Sequence, residues 1–252
     1  MSRSSNPGSL AEKAEDFALT SVPQKNRQSG YSLAMSPVGV ATALVIFAIG
    51  GFAVMLAGFK LGLLAGISVA LLGFVLGKLV GQIAFKSGMS STLTSRFYGF
   101  GMQGSSLASG IFAFMILGFL ALESALLYQG TLLMFELEDT LLTRLGIYTI
   151  LTFLWIMLAI FGLKIALRSS AIMTVLTLGV TVYLVYLIFF VQGSDFSSVF
   201  GFEGIVPGSP WTRFEAALAL IGGTAGTITL VTTDFARYCR TSKDVTILAA
   251  SG

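Results

Sequence analysis

Three stretches of this 252-residue chain hold residue types that could do chemistry inside otherwise apolar sequence. MILGFLALESALLYQG (115–130) has one carboxylate, Glu123, near its middle. FAIGGF (47–52) and IGGTAGT (221–227) interrupt two more apolar runs with paired glycines. A carboxylate at bilayer depth is expensive, so it normally faces protein or a watery cavity and serves as a ligand or proton site. Glycine lets the backbone unwind and leaves room for a substrate to reach exposed carbonyls and amides. Paired broken helices at corresponding positions of two halves point to the binding site of a secondary transporter. Each feature also has a plainer explanation. Glu123 can be a protonated clasp hydrogen-bonded to a neighbouring helix, and the glycine pairs can be tight packing.

The composition requires a membrane around these stretches. The chain is 55% hydrophobic and 11% charged, and its mean hydropathy is +0.87. About a quarter of the residues of a soluble domain are charged, so this chain cannot wet a surface of its own size. Several runs reach the roughly 20 residues that cross the hydrocarbon as a helix. They lack the alternation of a transmembrane barrel. The fold class is therefore an all-α integral membrane protein. Zero histidines and one cysteine leave no Cys/His metal cluster, no disulfide framework and no histidine-activated nucleophile. The chain is read as no enzyme, with no catalytic residue, no metal site, no cofactor and no nucleic-acid partner.

Six spans are expected, at 33–58, 62–85, 107–135, 145–163, 171–192 and 215–233, forming a transmembrane domain over 33–233. Residues 1–32 form an N-terminal segment, and 234–252 lead from the sixth span into a seventh, truncated helix beginning TILAASG. With the N-terminus in the cytoplasm, only Lys60, Arg144 and Arg213 of the 15 basic residues fall outside, while FELED (135–139) gathers acids there. That asymmetry places both ends of the chain inside, in a multi-pass plasma (inner) membrane protein. Residues 1–30 hold no signal-peptide core, so the first span acts as the insertion signal.

Three segments resemble one family. They are AEDFALTSVPQKNRQSG (14–30), KSGMSSTLTSRFYGFGMQGSSL (86–107) and LVTTDFARYCRTSKDV (230–245). In this order on six spans, the chain resembles the nucleobase:cation symporters, the purine and cytosine permeases. The resemblance covers about the first half of a family member. It implies a LeuT-type fold, here the first five-helix inverted repeat plus the first helix of the second. It also implies cation-coupled symport of nucleobases or related heterocycles by alternating access, with Na+ or H+ as coupling ion.

The family's site is carried over only where residues line up. Its third-span Gly-Trp becomes Gly118-Phe119, with Phe119 to stack on the base and Glu123 one turn further on the same face. On the sixth span, Gly222, Gly223, Thr224 and Ala225 complete the substrate set. Ala225 stands where the family often has a second aromatic, which leaves that side of the base open. The first span's share of a cation site consists of carbonyls of Phe47, Ala48, Gly50 or Gly51. A carboxylate at 123 accepts two parallel hydrogen bonds from an amidine-like edge, which favours an aminopyrimidine or a purine over uracil. Glu123 could also carry the coupling proton. The expected partners are a small heterocycle, the cation and the bilayer, with no obligate protein partner. The alternatives are a LeuT-type carrier for an amino acid or osmolyte, and a truncated chain inactive by itself. Asp234 and Arg237 are read as a solvated helix end in preference to a cytoplasmic gate pair, Tyr128 and Gln129 as interface anchors in preference to ligands, and Arg96 as structural.

Overall fold

In hydrocarbon no water is available to the backbone, so each apolar run must satisfy its own amides and carbonyls as a helix. The computed structural model describes residue 17, residues 20–160 and residues 163–252. Much of the N-terminal segment, with Arg3 and Lys13, therefore lies outside the described residues. Among the described residues there is no strand, only an isolated backbone bridge between Gln28 and Cys239.

The helices are α1 (Gly30–Ala41), α2 (Leu44–Ala57), α3 (Phe59–Ser87), the short α4 (Ser91–Ser95), α5 (Gly101–Phe135), α6 (Leu141–Ile160), α7 (Leu163–Tyr186), the short α8 (Phe196–Phe200), α9 (Pro210–Ala236) and α10 (Ser242–Ala250). Five of these are long and apolar enough to cross a membrane, and α1 with α2, bent by 55° across their junction, pass the same test together, which gives six if the bent pair is one span. The chain is an all-α, multi-pass membrane protein.

Five of the six predicted spans coincide with single long apolar helices and the first with the bent α1–α2 pair, with ends shifted by the local chemistry. The second span begins at Phe59 because Gly58, at φ +85°, turns the chain sharply out of α2. The third extends back to Gly101, which also takes a positive φ of +64°. The fifth finishes in a π-helical turn, Leu187–Val191. The sixth begins at Pro210, which needs no amide hydrogen bond in a first turn and follows a Ser209 cap.

Helices α3 and α9 pack along each other, with α2 against both. The buried face of α3 is Gly62, Ala65, Val69, Gly73, Gly77, Gly81 and Ala84, one small or branched residue per turn. Such a stripe lets backbones approach closely, which is what holds helices together where the hydrophobic effect is absent. A β-carbon on Gly73 would rest on Ala225 at 3.7 Å, and one on Gly77 on Thr232 at 3.5 Å. Helix α1 lies on α7 and α10, joined by a bond from the Ser170 hydroxyl to Met35 O (2.8 Å). No residue of α6 is fully buried: Tyr148, Leu151 and Trp155 are half-buried, and most of its other apolar side chains are exposed.

The loops gather at two ends. At one, Val22 N donates to Gly88 O (2.9 Å), Gln28 N to Tyr238 O (2.7 Å), and Gly30 N to the Asp244 carboxylate (2.7 Å). This end carries the basic loops. At the other, the stretch before α9 covers the α2–α3 turn: Ile205 N donates to Met55 O, Val206 N to Leu56 O and Phe59 N to Phe202 O. The backbones at Gly58 and Gly204 approach so closely that neither position has room for a side chain.

Candidate functional site

The first span breaks at Thr42–Ala43, before FAIGGF. Pro37 sits inside α1 and brings no amide donor. Five residues on, the Thr42 hydroxyl turns back onto Val38 O (3.0 Å) and Gly39 O (3.2 Å), a bonding pattern that bends helices. Ala43 is then extended (φ −69°, ψ 148°), and α2 starts afresh at Leu44. Ala43 has no side chain with which to cap the new helix. The first amides of α2 are therefore left as donors inside an apolar stretch, and in hydrocarbon an unpaired polar group costs several kcal/mol.

Glu123 supplies the cap from α5. Leu44 N donates to its Oε1 (3.1 Å) and Val45 N to its Oε2 (3.0 Å). A carboxylate at this place also meets the positive end of the α2 dipole. The charge in the middle of the third span is thereby explained: it closes the N-terminus of a half-helix that has no cap of its own. The side chain remains half-buried, and each oxygen keeps a lone pair for another donor. The Trp155 indole holds Ser124 (3.3 Å) next to it. One turn before Glu123 lies Phe119, half-buried, and a turn earlier Met115, whose sulfur meets the Thr227 hydroxyl of α9 at 3.5 Å. The Thr42 break, the 115–123 face of α5 and Thr227 of α9 thus line up from one contact to the next.

The glycine pairs behave otherwise than their sequence implies. Phe47, Ala48, Gly50 and Gly51 lie inside the continuous helix α2, where a carbonyl accepts the amide four residues on and is not free for a cation. The carbonyls released by the break belong to the last turn of α1. Val40 O takes Ala43 N (3.1 Å), and Ala41 O takes no hydrogen bond from the described residues. Helix α9 likewise runs unbroken through 221–227. The Thr224 hydroxyl bonds Ile221 O (2.6 Å), and Thr229 bonds Ala225 O (2.8 Å), so hydroxyls stitch the turns together. A glycine inside a helix costs only about 1 kcal/mol, less than an unpaired amide in lipid, so the helix survives.

Nor are these glycines packing contacts. A β-carbon on Gly50, Gly51, Gly118, Gly222 or Gly223 would meet nothing within 4 Å. Ala225 is buried against Gly73 of α3. It is two residues before Thr227, so it faces away from α5. Gly223, one turn before Thr227, shares the face towards α5, with Thr224 beside it. Of the predicted sixth-span set, Gly223 and Thr224 remain on the α5 side, Gly222 lies between the faces, and Ala225 belongs to the core.

Other residues also differ from expectation. Arg237 is buried, only 5% exposed, and donates to Phe17 O (3.0 Å) and Asp234 O (3.1 Å). The Asp234 carboxylate accepts from Ser91 N (2.8 Å). They tie the N-terminal segment and α4 to the end of α9, so they are no solvated helix end. Tyr128 is buried too. Its hydroxyl donates to Asp139 (2.6 Å) and its ring stacks on Tyr148, so it fastens the α5–α6 turn instead of anchoring at the interface. Gln129 is exposed. Arg96 donates to Ser105 (3.4 Å) between helix ends. Burial and the nearby Asp244 charge push the Cys239 thiol up to about 12.

Sequence reasoning missed Thr42 and Ala43. Their signal was Pro37 followed by a threonine and then three residues unable to cap (Ala43-Leu44-Val45). A scan against family models and a search of curated proteins give no match to this chain.

Proposed function

We propose that the chain forms the substrate-binding half of a secondary active transporter in the manner of the nucleobase:cation symporters, with a LeuT-type arrangement and an N-terminus in the cytoplasm. The observation that carries this reading is the Glu123 carboxylate on Leu44 N and Val45 N at the break of the first span. Broken spans with half-helix ends near the midplane are how secondary transporters build substrate and ion sites.

The same bonds bear on the substrate. Carriers of amino acids use such half-helix amides to hold the substrate's carboxylate. Here an internal carboxylate holds them, so a second anion would be repelled. The remaining lone pairs of Glu123 suit a donor edge, such as an amino group beside a ring N–H, and Phe119 one turn away offers a face for stacking. A neutral aminopyrimidine or purine meets both. The coupling cation is either a proton on Glu123 or Na+ with Ala41 O among its ligands.

Uptake of labelled cytosine, adenine, guanine and hydroxymethylpyrimidine by cells expressing the full-length product tests the assignment. Saturable uptake of one of them, unaffected by excess amino acids, is expected. A membrane-inserted protein that takes up none of the four overturns it.

A further inference from the structure

At the basic end of the bundle a cavity of about 710 Å³ opens between the segment before α1, the side of α1, the beginning of α7 and the α9–α10 loop. Lys25, Arg27, Arg168 and Arg240 line it, and among the described residues no carboxylate does. None of these four cations is ion-paired within the described residues, where the ion pairs are Arg144–Asp139 and Arg213–Glu203, both at the far end. The buried Arg27 Nε has no hydrogen-bond partner. Arg240 spends its Nε on Arg27 O (2.9 Å), which leaves its terminal amino groups as donors. Four like charges brought to one hollow repel one another, and an anion placed among them relieves that repulsion.

The rest of the lining indicates which anion. Met35, Leu167 and Ala171 form an apolar floor between α1 and α7. One turn beyond Ala171 on the same face of α7, Val175 is 70% exposed, and Ile172 beside it 60%. A cationic hollow that runs on into an exposed apolar helix face has the amphipathic profile of a phospholipid: phosphate at the mouth, acyl chain along α7. Basic pockets between transmembrane helices bind anionic headgroups in this way. We propose that the cavity is a binding site for an anionic phospholipid of the leaflet on this side. It is separate from the Glu123 region and does not depend on what is transported.

Native mass spectrometry of the full-length protein in mild detergent tests the site, by titration with phosphatidylglycerol, with phosphatidylcholine of the same chains, and with inorganic phosphate as competitor. Lys25 and Arg168 are exposed and make no hydrogen bond to the described residues, so Lys25→Gln and Arg168→Gln leave the packing intact. Each cation near an anionic lipid surface is worth about fivefold in affinity, so the double variant should hold phosphatidylglycerol roughly 30-fold more weakly. Each single variant should show about fivefold, which decides the matter if the double variant is not recovered folded. Phosphatidylcholine should bind no better to the native protein than to the variants. Equal retention of the two lipids, or equal retention by native and variant protein, overturns the proposal. Displacement of the lipid by millimolar phosphate would also overturn it, by assigning the hollow to a free anion.

Discussion

Replacing Glu123 by Gln keeps one acceptor oxygen for the α2 amides and removes the charge. Charge-assisted hydrogen bonds are worth roughly twice neutral ones, so uptake should fall by about one to two orders of magnitude while the protein still inserts. Glu123→Ala removes both acceptors and should destabilise by roughly 1–3 kcal/mol, read as a lowered melting temperature in detergent. Glutamine with unimpaired uptake would reduce the side chain to a clasp. Asp139 gives a pH dependence of definite sign. The Tyr128 hydroxyl and then Arg144 hold its carboxyl below the ordinary 3.8. The stabilisation of the α5–α6 turn is then complete above that ordinary value and is lost as pH falls through the depressed one. Amide exchange at 137–144 should speed up as pH is taken below about 4, beyond the intrinsic pH effect, and Asp139→Asn should abolish the change.

The broken first span can be separated into its two duties. Ala43→Ser would give α2 a cap of its own, because a serine oxygen at this position accepts from the second or third amide of the helix. Combined with Glu123→Gln, it should restore thermal stability. If Glu123 also holds the substrate or proton, uptake stays low in the double variant; recovered uptake would show that capping is its whole task. The small-residue face of α3, against α9 and α10, offers a second graded test. A β-carbon on Gly77 makes ordinary contact with Thr232, but one on Gly81 comes within 3.0 Å of Val245. Gly77→Ala should therefore be nearly silent and Gly81→Ala should cost about 1–3 kcal/mol, seen as a melting shift.

For the molecule as a whole, the two clusters of loops predict a topology that labelling can check. Cys239, the single native cysteine, is buried with its thiol pushed up to about 12, so it stays unlabelled in the folded protein. Against that background, Glu138→Cys in the α5–α6 turn should react with an impermeant maleimide on intact cells. Lys243→Cys should react only after permeabilisation. The reverse pattern would invert the proposed orientation. Helix α6 touches the rest of the bundle least and keeps many of its apolar side chains exposed. The compact α3–α9 pair and the loosely held α6 are thus expected to differ in amide exchange, with α6 the faster.

Composition and run length alone established a multi-pass α-helical membrane protein, because hydrocarbon leaves the backbone no other way to satisfy itself. The unusual acid was also legible, since an ionisable side chain at that depth demands a partner. Its partner was not legible. Glycine pairs looked like breaks, but glycine only permits unwinding. A lipid-buried helix keeps its hydrogen bonds unless something replaces them, and nothing replaces them at Gly50–Gly51 or Gly222–Gly223. At Thr42–Ala43 replacement exists, from a threonine hydroxyl on one side and a carboxylate 79 residues away on the other. A cap delivered by another helix has no local sequence signature, so only the packing of α5 against α2 could reveal it.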